Sequence, residues 1–177
     1  MLKQTGAVPD VDELLHQLAI QRVIFTHSRG LDRLDVDVLA SCYWPESEVD
    51  YGSFKGNAHT FCALVVEALP ASYELTQHAL GNTLVEISGA AAKAESYVTA
   101  YHLLRGAEEE MVFSGRYLDK LECRDGVWKI LHRSVVMDWS RNQAVRDERD
   151  GEAFAALQKG KHAQQDPLSA FLKQRAK

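Results

Sequence analysis

YLDKLECRDGVWKILHRSVVMDW, residues 117–139, decides how the second half of this chain folds. Both of its arms are rich in β-branched, aromatic and aliphatic residues, and they meet at Arg124-Asp125-Gly126, a turn signal. So short a link joins antiparallel neighbours only, because a parallel crossover needs a dozen or more residues. Working upstream, SYELTQHALGNTLVEIS (72–88), KAESYVTAYHLLR (93–105) and EMVFSGRYLDKLEC (110–123) read the same way, joined by GAAA (89–92) and GAEE (106–109). A meander of long antiparallel strands is expected from residue 73 onward.

Before residue 73 the period is helical. In PDVDELLHQLAIQRVIFTHSRG (9–30), Asp10 is the expected N-cap with Glu13 at the capping-box position. Apolar residues at 11, 14, 15, 18 and 25 follow helical spacing, widened by Ile20, Val23 and Ile24. Gly30 reads as the end of this helix, which sets Asp32 just beyond it. A carboxylate there is disfavoured by the helix dipole unless a cation or proton donor comes to meet it. A second short helix starts after Asp35 and is stopped by WPES (44–47). EVDYGSFKG (48–56) suits a strand or hairpin, and a third helix spans about 57–69 between Asn57 and Pro70. Helices first and strands after describe an α+β domain whose helices cover one face of a curved sheet.

The chain has 177 residues, enough for one domain with a core, and its composition is that of a globular protein, 46% hydrophobic and 25% charged. A net charge of -5 argues against a nucleic-acid partner. No apolar run approaches the ~20 residues of a membrane span, and MLKQTGAVPD lacks a signal-peptide core, so no membrane partner and a cytoplasmic location are expected. Cys42, Cys62 and Cys123 are odd in number and widely spaced, as reduced spectator thiols are. After Trp139 the chain becomes dense in charge, and residues 141–177 read as a partly helical tail. It is expected to dock on its own domain, 1–140, or on a neighbouring subunit.

Metal-ligand spacings, phosphate-binding glycine loops and a nucleophile elbow are all missing, so no metal and no cofactor is expected. What chemistry there is must be proton transfer by His and carboxylate. His78, His102 and His132 fall where strand arithmetic allows an inward position, and His27 lies near the end of the first helix. Alternation puts Ala94, Ser96, Val98, Ala100 and His102 on one face of their strand. In the last strand Trp128, Ile130 and His132 share a face and Leu131, Arg133 and Met137 the other; both are apolar enough that periodicity does not say which is internal.

The order of elements, with THSRGLD (26–32), LTQHALGN (75–82) and the 117–139 stretch, resembles the SnoaL-like branch of the NTF2-like superfamily, which includes scytalone dehydratase, bile-acid 7α-dehydratases, hexachlorocyclohexane dehydrochlorinase, ketosteroid isomerase and limonene-epoxide hydrolase. The resemblance covers about residues 10–140. It implies a cone: a bent, mostly antiparallel sheet wrapped around the N-terminal helices, with a deep apolar pocket. It also implies a catalytic dyad in which His78 is the base and Asp32 its partner. The Tyr that precedes the Asp by five residues in bile-acid dehydratases is His27 here, and their final-strand Arg falls on Met137, with Arg133 nearby.

The implied activity is that of a cofactor-independent lyase or isomerase, dehydratase-like, on a hydrophobic cyclic molecule such as a steroid, terpenoid or polyketide. His27, Tyr43, Trp44, Tyr51, Phe54, His102, Arg116, His132 and Arg133 are the candidates for substrate contact. The alternatives are a ligand-binding cone without turnover and a scaffold like the β-subunit of ring-hydroxylating dioxygenases. Epoxide hydrolysis is a reaction variant in which Arg116 and Asp138 would join Asp32. Assembly as a homodimer or homotrimer is expected.

Overall fold

The computed structural model describes residues 6–174; residues 1–5 of the expected domain and 175–177 of the expected tail lie outside the described residues. Helix α1 spans Val11–Arg33, and the Asp10 carboxylate accepts the Glu13 N–H at 2.7 Å to start it. The helix does not stop at Gly30. It runs one more turn to a C-cap at Leu34, whose left-handed backbone (φ 50°) turns the chain. Gly30 serves packing instead: a Cβ there would meet the Leu39 backbone N at 2.9 Å, where helix α2 (Val36–Ser41) crosses. Asp32 therefore belongs to the last turn of α1 and not to a loop after it.

Strand β1 (Tyr43–Asp50) begins directly after α2 and runs through Trp44-Pro45-Glu46-Ser47, where a turn was expected. Proline is tolerated there because the pairing is irregular between Tyr43 and Glu48, so no ladder bond is owed by residue 45. Strand β2 (Lys55–Asn57) leads into α3 (Ala58–Ser72), capped by the Asn57 side chain on His59 and Thr60 N–H. The expected stop at Pro70 is overrun to Ser72. In a final turn proline costs a single hydrogen bond. The Pro70 carbonyl also gains two donors from Arg105, at 2.8 and 2.6 Å.

The four long strands follow as β3 (Tyr73–Ser88), β4 (Ala91–Leu104), β5 (Glu109–Arg124) and β6 (Val127–Ala144). The sheet order is β2-β1-β6-β5-β4-β3, antiparallel throughout except for the β1–β6 pair, which is parallel because most of the chain separates them. The sheet curls without closing and the helices fill its concave side, α1 against β3 and β6, α3 against β1. This is the cone of the NTF2-like fold.

Alternation on β4 holds as expected, with Ala92, Ala94, Ser96, Val98, Ala100 and His102 all buried. On β6 it breaks. Ile130 pairs with Leu121 and His132 with Lys120, so Leu131 is an extra residue. Trp128 and Ile130 face inward before it and Arg133 after it, so both sets of β6 residues supply the interior in turn. A second irregularity, between Ser114 and Gly115, needs glycine: a Cβ on residue 115 would lie 2.1 Å from the Val136 carbonyl oxygen.

The interior divides in two. A large apolar cluster includes Ile20, Ile24, Leu39, Tyr43, Phe61, Leu121, Trp128 and Ile130. A smaller one comprises Val98, Ala100 and Tyr117, with Leu80, Phe113 and Val135 against it. Beyond Ala144 the tail forms two single 3₁₀ turns and helix α4 (Pro167–Lys173). It folds back onto the end of α1, where Arg33 Nη1 donates to the Lys161 carbonyl and pairs with Asp166, each at 3.4 Å. Among the described residues no helix is long and apolar enough to cross a membrane.

Candidate active site

Asp32 and His78 meet. The last turn of α1 lies over the start of β3, and the His78 ring Nδ1 stands 2.7 Å from Asp32 Oδ1. Two further donors complete the carboxylate: the Thr76 hydroxyl on Oδ1 at 2.9 Å and the His78 backbone N–H on Oδ2 at 2.9 Å. A charge at a helix C-terminus is disfavoured by the dipole, and these three donors offset that cost. The carboxylate accepts only, so Nδ1 carries the proton of this contact, and Nε2 is the ring nitrogen left to exchange a proton. Both side chains are about nine-tenths buried, at 8% exposure for His78 and 10% for Asp32.

His102, opposite Thr76 across the β3–β4 ladder, puts its ring 5.6 Å from that of His78 and 4.7 Å from Tyr73. Burial, seconded by His78, lowers its pKa to about 4, so it is neutral near pH 7. Its Nδ1 is buried with no hydrogen-bond partner among the described residues. Ala100 stands opposite His78 and Val98 opposite Leu80, so the smaller apolar cluster begins beside the dyad.

Deeper in, a second polar group crosses the cone. Arg133, fully buried, makes a two-pronged ion pair with Asp119, opposite it on β5: Nε to Oδ1 and Nη2 to Oδ2, each 2.7 Å. Its Nη1 donates to His27 Nδ1 at 2.8 Å, and its guanidinium lies 4.1 Å over the Tyr117 ring. With Nδ1 accepting, His27 holds its proton on Nε2 and donates it to the Tyr43 hydroxyl at 2.9 Å. Burial, then the Arg133 charge, pushes the His27 pKa well down, which agrees with a neutral ring. Burial opposes the charge on Arg133, yet Asp119 holds its pKa above the usual value. The Tyr51 hydroxyl is buried beside Arg133 and Tyr43; burial pushes its pKa up and Arg133 eases it. Tyr117, beneath the Arg133 guanidinium, packs in the same small cluster as Ala100, which stands opposite His78, so both polar groups border one interior.

The structure thus brings together Asp32, His78, His102, His27, Tyr43, Tyr51 and Arg133. Phe54 joins through Phe61 of α3, which stacks on Tyr51 at 4.1 Å and tilts against Phe54 at 5.6 Å. Trp44, Arg116 and His132 are placed elsewhere. Trp44 Nε1 is tied to the Glu122 carbonyl, and its face is covered by Arg124 and Lys129. Arg116 pairs with Glu95 and Asp138 on the convex face, beside exposed Tyr97, so neither it nor Asp138 reaches Asp32. His132 sits between Glu48 and Lys120 on that same outer face, because the extra Leu131 turned Arg133 inward in its place. Met137 is 62% exposed, so Arg133 is the buried arginine of β6.

Thr76, Tyr117 and Asp119 were not singled out from the sequence. Thr76 lies two residues before His78 and so on its face, and Asp119 alternates with Tyr117 and Leu121.

The SnoaL-like domain family matches residues 12–134. No curated protein sequence matches the chain. Among solved structures, a protein of Novosphingobium aromaticivorans DSM 12444 provisionally assigned as a scytalone dehydratase is 25% identical, covering 76% of this chain and 91% of that one with a TM-score of 0.68. A hexachlorocyclohexane dehydrochlorinase, LinA Type2, is 23% identical over 78% of this chain and 95% of its own, with a TM-score of 0.71. The LinA-type3 enzyme of Novosphingobium barchaimii LL02 is 22% identical over 76% and 94%, with a TM-score of 0.69. With its cone, its element order and a family match across most of its length, the chain belongs to the SnoaL-like domain family.

Proposed function

We propose that this protein is a cofactor-independent lyase of the dehydratase or isomerase type acting on a small hydrophobic cyclic molecule, with a steroid, terpenoid or polyketide as the substrate class. The observation that carries the reading is the 2.7 Å contact between His78 and Asp32 inside the cone, with three donors on the carboxylate. It leaves His78 Nε2 outside the contact, on a ring that faces His102 from the strand position opposite Ala100.

In the proposed reaction Nε2 takes a proton from a carbon next to an activating group. The C–H electron pair becomes the new double bond, and the leaving oxygen departs from the neighbouring carbon. Asp32 stabilises the imidazolium that forms. Tyr51, whose hydroxyl is buried beside Arg133, and Arg133, with N–H groups to spare, stand to assist the departing oxygen. Both ring nitrogens of His27 are in use, so His27 positions Tyr43 and Arg133 without touching substrate. His102 and Phe54 would line the chamber. Self-association through the convex face, where Tyr97, Tyr101 and Leu118 are exposed, fits the same reading.

The experiment is incubation of the purified protein with a panel of cyclic alcohols and enones, read by mass spectrometry. Loss of water or migration of a double bond supports the reading. Saturable binding with no product replaces it with a ligand carrier.

A further inference from the structure

We propose that the cleft between the C-terminal tail and the outer end of β3 and β4 is a binding site for a multiply charged oxyanion, either inorganic phosphate or the phosphoryl end of a small ligand. The cleft has a volume of about 330 Å³ and is bounded by Glu74 and Leu75 of β3, by Arg105 just after β4, and by tail residues 149–150, 159–162 and 165. Four cations line it, Arg105, Arg149, Lys159 and Lys161, against two carboxylates, Glu74 and Asp150. That excess of positive charge stands out on a chain whose net charge is -5.

The cations are not equally occupied. Arg105 is partnered by Glu74 at 3.2 Å and Arg149 by Asp147 at 2.5 Å. Lys159 donates to the Phe154 carbonyl, which carries no net charge. Neither lysine has a carboxylate within ion-pairing distance among the described residues. The loop that carries them is held in place from its backbone: the Lys161 N–H donates to Asp166 at 2.9 Å and its carbonyl accepts from Arg33. Lys159 and Lys161 therefore outnumber Asp150, the lining carboxylate that is not ion-paired among the described residues, and a concave surface with a surplus of positive charge stabilises a polyanion.

The site is separate from the dyad and stands whether or not the dyad turns over. It has a mechanical consequence, because its cations come from two places. Arg105 belongs to the sheet end, while Arg149, Lys159 and Lys161 belong to the tail, so a bound anion ties tail to sheet.

The test is calorimetric titration of the full chain with inorganic phosphate and with pyrophosphate, at ionic strength held constant with chloride, and hydrogen exchange on the same samples. Saturable phosphate binding is expected, with slower exchange in residues 145–166. Lys161→Glu keeps the backbone contacts and should weaken binding by about tenfold or more, the worth of one charge-assisted contact. Lys161→Gln should weaken it less. Equal affinities assign the site to free phosphate, and tighter pyrophosphate to a phosphorylated ligand. No saturable binding of either anion, or Lys161→Glu binding as the wild type does, overturns the proposal.

Discussion

Thr76 and His78 donate to the same oxygen, Asp32 Oδ1, from alternate positions on one face of β3. The backbone N–H of His78 takes Oδ2, so this carboxylate is held by a single short stretch of strand. The imidazole is oriented by an acid that is itself oriented from the imidazole's own strand.

Asp32→Asn puts an amide among three donors, so at least one donor must face its NH₂ group. Turnover on a confirmed substrate should fall ~10²- to 10⁴-fold while the protein still folds. Thr76→Val removes one donor and keeps the shape. It should lower kcat by about tenfold, with a loss of roughly 1–3 kcal/mol in urea unfolding, and Thr76→Ser should restore both.

Asp119→Ala leaves the Arg133 guanidinium buried without its carboxylate. It should cost about 3–5 kcal/mol in denaturant melts. The double variant Asp119→Leu with Arg133→Met should recover most of that loss, because a buried ion pair is stabilising only against its own broken form.

His102 supplies a pH dependence. Its folded pKa is about 4 against 6.5 for the free side chain, so below pH 6.5 the unfolded chain binds a proton that the folded one refuses. Stability contributed at this site is complete above pH 6.5 and falls away as the pH drops toward 4, by up to roughly 3 kcal/mol. The midpoint of thermal unfolding should decline over that window. In His102→Phe the slope should be shallower, leaving the share owed to His27, whose shift has the same direction.

Arg116→Ala and His132→Ala should leave turnover unchanged within about twofold, because both side chains lie on the convex side of the sheet. Their cost should be small and confined to stability, read as a shift in the unfolding midpoint.

Local signals were legible wherever the chain obeys one rule at a time. The caps Asp10, Asp35 and Asn57, the alternation of β4 and the short links between strands could all be read directly. The approach of His78 to Asp32 followed from family resemblance, because nothing in the spacing of residues 32 and 78 encodes a contact. What escaped were places where tertiary packing overrides local preference. Gly30 sits within a helix because another helix crosses it, and Pro70 is absorbed into a last turn whose carbonyl Arg105 supplies. Arg133 could not be assigned to a face, because a single unpaired residue resets the count between it and Ile130. Asp119 was invisible for the same reason: it becomes meaningful only once an arginine is known to stand opposite it.

Leu131 also acts as slack in the wall of the cone. Removing it would restore plain alternation between Ile130 and Arg133 without changing which of them points inward, while taking away the local bend that an extra residue imposes. Shortening the chain at this point should therefore alter the curvature of the cone before it alters the chemistry of its inner face, and every interior side chain would stay in place.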